Sequence, residues 1–562
     1  MFQPNKRLKV NAIRHRNLKN TQRINSLESD SKTCETTCNE SFRQYLRNST
    51  LHGLKYVGDS TITLFERIFF GLMFSVVVAL SAYFITNVYD KYKSSPMIIS
   101  LNSRPTDITK LPFPAVTVCN MNQALKSVVA NYAVDSDEFS MIQSICAVAV
   151  DEDVKNSKTG KWSDFQKVLI DVSQSCKDML ISCNYGGFEY NCSDVFVTVL
   201  TDEGLCCTFN GVNRKFIAKP NIKSDNLDPQ EFNMSQHLDK FANQWTPEMG
   251  FASDELKNHK LGYPRSTVGT GAHLGLSVIL NAGISEYYCS STSSYGFKIL
   301  LHNPTEAPQI SNYGTSISNG YESRVVITPA LSEASATVRN MPLNVRYCLF
   351  EEENHLQYFS TYSRRNCQME CNALYFLKYC NCILYWMPRF YDDIPICGRS
   401  NDDCVDDVTN QLNAQKNSSF SCDSCMPGCF EVNYHARVSM APLLHGAPVL
   451  AEKGLSGPNV SIAHIFYQYR FFRSEKKDEL IGFTELLSNT GGLLGLFMGF
   501  SLFSFVEIFY YLSIRPYSIV ASKRRRTFNR MFKKTSRIRA EQTVTPVDVK
   551  DAAHHHTDSI YP

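Results

Sequence analysis

The chain has 562 residues, 43% of them hydrophobic, with 57 Lys+Arg against 54 Asp+Glu and a formal net charge of +3. That length admits two to four domains, and the near-balance of charge gives no ground for a nucleic-acid partner. The average would suit a soluble protein, but apolar residues and charge are distributed very unevenly along the chain.

Residues 1–67 form a basic arm with 12 Lys+Arg against 6 Asp+Glu, and they contain Cys34, Cys38 and the pair His52-Gly53. From Ile68 to Val88 no residue is charged, between Arg67 and Asp90. A helix of about 20 mainly apolar residues crosses the hydrocarbon of a bilayer, because only a helix satisfies its own backbone hydrogen bonds there. Residues 68–89 are therefore read as a first transmembrane helix. A long basic stretch precedes it, rather than a short charged region and a cleavage site, so it reads as a retained signal anchor and not a removed signal peptide.

Residues 90–485 follow, with enough chain for a core of their own. Of the 20 cysteines, 18 lie between Cys119 and Cys429. Disulfides persist outside the cell and rarely in the cytosol, so this region is placed outside, and its even cysteine count suits a disulfide framework. Asn191, Asn233, Asn417 and Asn459 each begin Asn-x-Ser, an acceptor for glycosylation on that side. Ala115–Val118, Val195–Leu200, Phe297–Leu301 and Arg324–Ile327 read as strands, Tyr358–Tyr385 as helix, and Ser311–Ser323 and Gly454–Asn459 as surface loops. In the cytosol the late array Cys367-x3-Cys371, Cys380-x-Cys382, Cys397, Cys404 and Cys422-x2-Cys425-x3-Cys429 would invite zinc; outside the cell it reads as disulfides, and no metal or cofactor is expected. There is no His-Glu-x-x-His, no Gly-x-Ser-x-Gly elbow and no phosphate-cradling glycine loop, so the region offers no enzyme chemistry.

From Leu486 to Ile514 the only charge is Glu507, and residues 486–513 are read as a second transmembrane helix. At about 100° per residue, Ser488, Gly492, Gly495 and Gly499 fall on one helix face, with Gly491 at its border. Small residues at this spacing suit close helix packing. They equally suit a pore in which backbone carbonyls and the Ser501 hydroxyl replace part of an ion's water shell. Glu507 is a charge inside the apolar span. It reads either as a ring of carboxylates that attracts cations or as a side chain reaching the cytoplasmic interface. Residues 514–562 are basic again, and the run Lys523, Arg524, Arg525, Arg526, Arg530, Lys533 and Lys534 places them inside and can meet anionic lipid. The fold expected is an α+β membrane protein: two transmembrane helices flank a large disulfide-rich α+β ectodomain, and both termini are cytosolic in a plasma-membrane location.

At this point the residues resemble the degenerin/epithelial sodium channels, and within them the pickpocket branch. The resemblance rests on His52-Gly53, Phe113-Pro-Ala-Val-Thr-Val-Cys119-Asn120, Gly204-Leu-Cys206-Cys-Thr-Phe-Asn210, the array ending Cys425-Met-Pro-Gly-Cys429, and Gly491 through Ser501, in the family's order. It implies an acid-sensing-channel-like ectodomain, likened to a hand clenched around a ball. It also implies a sodium-preferring, amiloride-sensitive channel that is a homo- or hetero-trimer with related subunits, with sodium as the permeant ion. The family's Gly-x-Ser selectivity filter falls on Gly499, Phe500 and Ser501, and Phe500 stands where better-known members have a small residue. The degenerin position, where bulk holds the pore open, falls on Ser488, and the gating His-Gly on His52 and Gly53. The disulfides implied are Cys119 with Cys206, Cys183 with Cys192, Cys348 with Cys429, Cys367 with Cys425, Cys371 with Cys422, Cys380 with Cys404, and Cys382 with Cys397. Cys146, Cys176, Cys207 and Cys289 are left without partners.

Three other readings share parts of this pattern. An ATP-gated purinergic-type channel shares the topology but not the Gly-x-Ser or Phe-Pro-Ala-Val motifs. A non-conducting accessory or receptor subunit would keep the scaffold, and a membrane-anchored ectoenzyme would need chemistry that the motifs do not supply. The stimulus that opens such a channel is not written in these residues.

Overall fold

The computed structural model describes residues 39–94, 97–146, 161–212, 217–220, 222, 245–251, 264–391, 393–414, 421–444, 448–451, 459–522, 525–526 and 528–529. The chain divides into two compact units, one from Met1–Pro96 with Ile481–Pro562, the other from Met97–Leu480. Cys34, Cys38, Asn233, Asn417, the segment 454–458 and most of the basic tail run lie outside the described residues.

The first unit is helical. Helix α1 (Leu64–Ser94) has 31 residues, about 46 Å at the α-helical rise and longer than a bilayer's hydrocarbon is thick. It outruns the expected 68–89 at both ends, starting where Thr63 donates its N–H to Glu66 and running on through Lys91 and Lys93. It has no polar stripe, and Phe65, Leu72 and Tyr83 stand exposed along it. A helix apolar on every side is either the core of a large protein or a membrane span, and this one is largely exposed, which suits a span.

The second apolar segment is not the single helix expected over 486–513. Helix α2 (Phe483–Met498) ends at Gly499, helix α3 (Leu502–Phe509) starts after Ser501, and a π-helical turn (Tyr510–Ile514) continues the latter. The two helical stretches, Phe483–Met498 and Leu502–Ser522, meet at a 74° bend, and together they are long and apolar enough to form one broken span. The face drawn through Gly499 on a regular helix therefore stops one turn earlier, because Gly499 has φ 63° and leaves the helix. α1 packs against α2, and Phe84 stacks on Phe497 at 5.7 Å.

The second unit is the α+β part. Its large sheet contains β1 (Met97–Leu101), β2 (Leu180–Tyr185), β3 (Phe188–Tyr190), β4 (Leu276–Asn281), β5 (Tyr321–Ala334), β6 (Glu431–Pro442), β7 (Val460–Tyr467) and β8 (Glu475–Glu479). The order is β1-β8-β5-β7-β4-β2-β3, with β6 on β5. β5 is the spine: it pairs antiparallel with β6 along 12 positions and parallel with β7 and β8. β1 and β8, the strands next in the chain to α1 and α2, pair antiparallel from Met97↔Glu479 to Leu101↔Glu475.

A smaller sheet of five strands contains Ala115–Asn120, Phe196–Thr201, Gly204–Phe209, Gly296–His302 and Thr315–Ser318. All seven residues of Gly296–His302 are buried, which suits a strand covered on both faces. The expected loop over Ser311–Ser323 is instead a short helix and two strand segments, since Ile310 and Ile317 are buried anchors within a polar composition. The helix expected from Tyr358 starts only at Arg364, where Ser363 accepts from the Asn366 N–H as an N-cap, and it stops at Cys380 before Asn381 at φ 56°. Phe113 packs edge-on against Tyr185, Phe209 and Tyr467 at 5.2, 5.9 and 5.9 Å, and these rings centre the main core.

Nine disulfides staple this unit: Cys119–Cys206, Cys146–Cys289, Cys176–Cys207, Cys183–Cys192, Cys348–Cys429, Cys367–Cys425, Cys371–Cys422, Cys380–Cys404 and Cys382–Cys397. Strand register explains the first. Val118 faces Cys207 across an antiparallel pair, so Cys119 opposes Cys206.

Three buried ionisable groups matter for stability. Lys298 donates to Glu203 at 2.5 Å with both side chains almost wholly buried. Glu306, 3% exposed, has its carboxyl pushed up to about 7 by burial; Arg365 and a hydrogen bond from Ser363 oppose the shift, and Glu431 reinforces it. A carboxyl raised in the folded state holds its proton there while the unfolded chain has lost it. Stability is then complete below the ordinary carboxylate range and falls as pH rises to about 7. The unfolding free energy of the purified protein is expected to drop across this window by up to about 1.4 kcal/mol per pH unit from this group, read as a falling thermal midpoint. Glu306→Gln should flatten that slope, and an unchanged pH profile would reject the assignment.

Candidate pore segment

The break between α2 and α3 follows from three residues. Gly499 takes a left-handed conformation that a side chain resists, donates its N–H to the Gly495 carbonyl, and is followed by Phe500, whose N–H reaches the Leu494 carbonyl. Ser501 then restarts the chain as the N-cap of α3: its hydroxyl accepts from the Ser504 N–H at 3.3 Å, and its own N–H donates to the Ser504 hydroxyl at 3.1 Å. Gly499, Phe500 and Ser501 thus form a short non-helical belt between two helices, left-handed at Gly499 and extended at Ser501.

Above this belt the small face is open. Ser488 is exposed, and a Cβ added at Gly491 or Gly492 would meet nothing within 4 Å, whereas one at Gly495 would lie 3.7 Å from the Phe500 carbonyl oxygen. The face is therefore not filled by the chain's own side chains. It is the sort of surface that helix backbones or ions approach closely.

Below the belt lies the basic arm. His52 donates its N–H to the Met498 carbonyl at 3.0 Å, and its ring sits so close to Gly499 that a Cβ there would be 2.6 Å from Cε1. Gly53, at φ 84°, makes the turn that leads into the short helix Leu54–Gly58. Thr50 contacts both Ser504 and Glu507, and Asn48 donates to the Tyr511 hydroxyl at 3.2 Å. The His-Gly pair, the Gly-Phe-Ser belt and Glu507 are consequently one assembly, although 457 residues separate Thr50 from Glu507. Thr50, Ser504, Asn48 and Tyr511 are not marked by sequence reasoning. The one available signal was the serine three places after Ser501, a capping-box spacing.

Asn191 and Asn459 are exposed, at the N-cap of a one-turn helix and in the turn before β7. Among the described residues no group of three or more His, Cys, Asp or Glu is arranged to hold a metal.

The chain thus combines a helix long and apolar enough to cross a bilayer, a disulfide-stapled α+β unit and a broken apolar segment with a Gly-x-Ser belt. The chain belongs to the amiloride-sensitive sodium channel family, whose description matches residues 45–511. Within the family it belongs to the pickpocket branch. It is 43% identical to Pickpocket protein 28 of Drosophila melanogaster over 87% of this chain and 80% of that one. It is also similar to Sodium channel protein Nach of Drosophila melanogaster (25% identical; 84% of this chain, 86% of the other) and to Acid-sensing ion channel 1 of Gallus gallus (24%; 84% and 83%). Its relatives are ion channels, not enzymes.

Proposed function

We propose that this chain is one subunit of a trimeric, sodium-preferring, amiloride-sensitive cation channel of the plasma membrane. In this reading both termini are cytosolic, and the broken segment Phe483–Ser522 is the second span. Three copies of it surround the pore, with Gly499, Phe500 and Ser501 as filter, Ser488 beside the gate and Glu507 as a cation-attracting ring on the cytosolic side. Movement of the extracellular unit, driven by a chemical or mechanical stimulus, reaches the pore through the segments beside Asp90 and Glu485. The carrying observation is the interruption at Gly499–Ser501, because non-helical backbone at membrane depth is tolerated where it lines a cavity or is buried in protein.

The test is whole-cell current in a non-native cell expressing Ser488→Phe. Bulk on the open small face should hold the pore open and give a standing inward current. That current should vanish when external sodium is replaced by a large organic cation, and amiloride should block it. No current from a surface-expressed variant, alone or with other pickpocket-type subunits, would reject the conducting role and favour the accessory one.

A further inference from the structure

A short hairpin, Trp245–Phe251, lies where two parts of the α+β unit meet, with Trp245 opposite Phe251 and Thr246 opposite Gly250. Trp245 is 3% exposed and belongs to the main core, and the Phe251 ring packs 6.4 Å from it. Gly250, at φ 68°, closes the turn, and the Met249 N–H donates to the Thr246 hydroxyl at 3.0 Å. Glu248 therefore stands at the tip of a stiff support, with its side chain 15% exposed. It accepts from both sides. Its Oε1 takes the Arg339 guanidinium, and its Oε2 takes the Glu351 N–H at 3.2 Å. Arg339 ends the short helix Ala336–Arg339, which is bound to β8: the Ser335 N–H donates to the Lys477 carbonyl at 2.9 Å, and the Ser335 and Thr337 hydroxyls donate to Asp478 at 2.8 and 3.3 Å. β8 in turn pairs with β1, and these two strands stand next in the chain to the apolar segments. Glu351 belongs to the other part. It follows Cys348, whose bridge to Cys429 encloses the helix Arg364–Cys380 and four further disulfides. Arg339 also lies over the Phe350 ring at 4.4 Å and meets Glu352 at 3.2 Å, but the Glu352 side chain is 83% exposed and water screens that pair. Glu248 is the sheltered negative charge on Arg339.

We propose that this hairpin is a clasp on opening: Glu248 fastens the strand pair that leads to both apolar segments to the root of the cysteine-bridged helical part, and so sets how often the pore segment leaves its resting arrangement. Glu248 is a positioning residue and meets no ion. This rests on reading Ser488 as a position beside the gate. A carboxylate that accepts from a guanidinium on one side and a backbone N–H on the other holds both by charge-assisted bonds, the strong kind. With the clasp released, β1 and β8 move independently of that root, and local excursions that were rare become more frequent.

The experiment follows full-length chains in a non-native cell, with a pickpocket-type partner supplied where the chain alone is silent. All carry Ser488→Cys, and an external methanethiosulfonate is applied at rest. Its attachment adds bulk at position 488 and turns on a standing sodium current, whose onset rate reads how often that face is reached. Glu248→Arg and Arg339→Glu should each speed the onset by roughly threefold or more. Combining them restores the attraction with its ends exchanged and should bring the rate most of the way back. The sodium-to-potassium permeability ratio should be the same in all of them, because the clasp acts on opening and not on permeation. An unchanged onset in both single variants, effects that add in the double one, or a shifted permeability ratio overturn the clasp. If the reagent starts no current in the parent, the reading of Ser488 falls by itself, and amide hydrogen exchange in the purified protein decides the clasp. β1 and β8 should then exchange faster in each single variant and recover in the double one, and equal exchange in all three overturns it. Where a charge reversal does not reach the surface, Glu248→Gln takes its place, since it keeps an acceptor for the Glu351 N–H and drops the charge. It should speed the onset as well, and an unchanged rate there overturns the clasp.

Discussion

Gly499→Ala is expected to reach the cell surface and carry less than about a tenth of the wild-type current. Two independent costs fall on one methyl group. A left-handed backbone costs a non-glycine residue roughly 1–2 kcal/mol, and Gly499 stands at φ 63°. The same methyl would lie 2.6–2.8 Å from three ring atoms of His52, a separation real Cβ atoms do not show. The ring cannot simply retreat with its backbone, because the His52 N–H is bonded to the Met498 carbonyl next door. Every 1.4 kcal/mol against this geometry removes about nine-tenths of the molecules holding it. The pairing with His52→Ala separates the two costs. If the double variant recovers current, steric contact dominates; if it stays silent, the backbone conformation does. Full current in Gly499→Ala would mean that the belt is not held in this geometry when ions pass.

Glu203→Ala should be nearly as damaging through a different route. Removing one member of a buried ion pair leaves the other charged and unpaired, which costs about 3–5 kcal/mol. Lys298 would be that orphan, on a strand buried along its whole length. A loss of this size lowers the amount of folded protein that passes cellular quality control, so surface biotinylation should fall several-fold. Glu203→Leu with Lys298→Met removes both charges at similar volume and is expected to restore much of the surface signal. If the single and double variants are retained equally, shape rather than charge holds the site.

The first apolar helix and the disulfide-stapled α+β unit were legible in the sequence because they depend on bulk properties. A run of uncharged residues, a basic flank and cysteines confined to one stretch each need only composition to be read. Alternation also located the strands, since Val325 and Ile327 point one way and Arg324 the other. The break at Gly499 was not legible. Periodicity assumes a regular helix, and with glycines at 491, 492, 495 and 499 nothing in the pattern says which one leaves it. Nor was the partnership of Thr50 with Glu507, because a threonine before a turn carries no mark of a contact formed hundreds of residues away. Strand register supplies what spacing did not for Cys119 and Cys206, and register appears only after the sheet exists.

The late cysteines have a further consequence. Cys382–Cys397 lies inside Cys380–Cys404, that inside Cys371–Cys422, that inside Cys367–Cys425, and all four inside Cys348–Cys429. None of these loops crosses another. Once the innermost is shut, each later bridge spans only the residues outside its inner neighbour, so the entropy of drawing distant chain together is met in small instalments. Closed from the innermost outward, no later bridge has to draw together the whole of the chain it encloses.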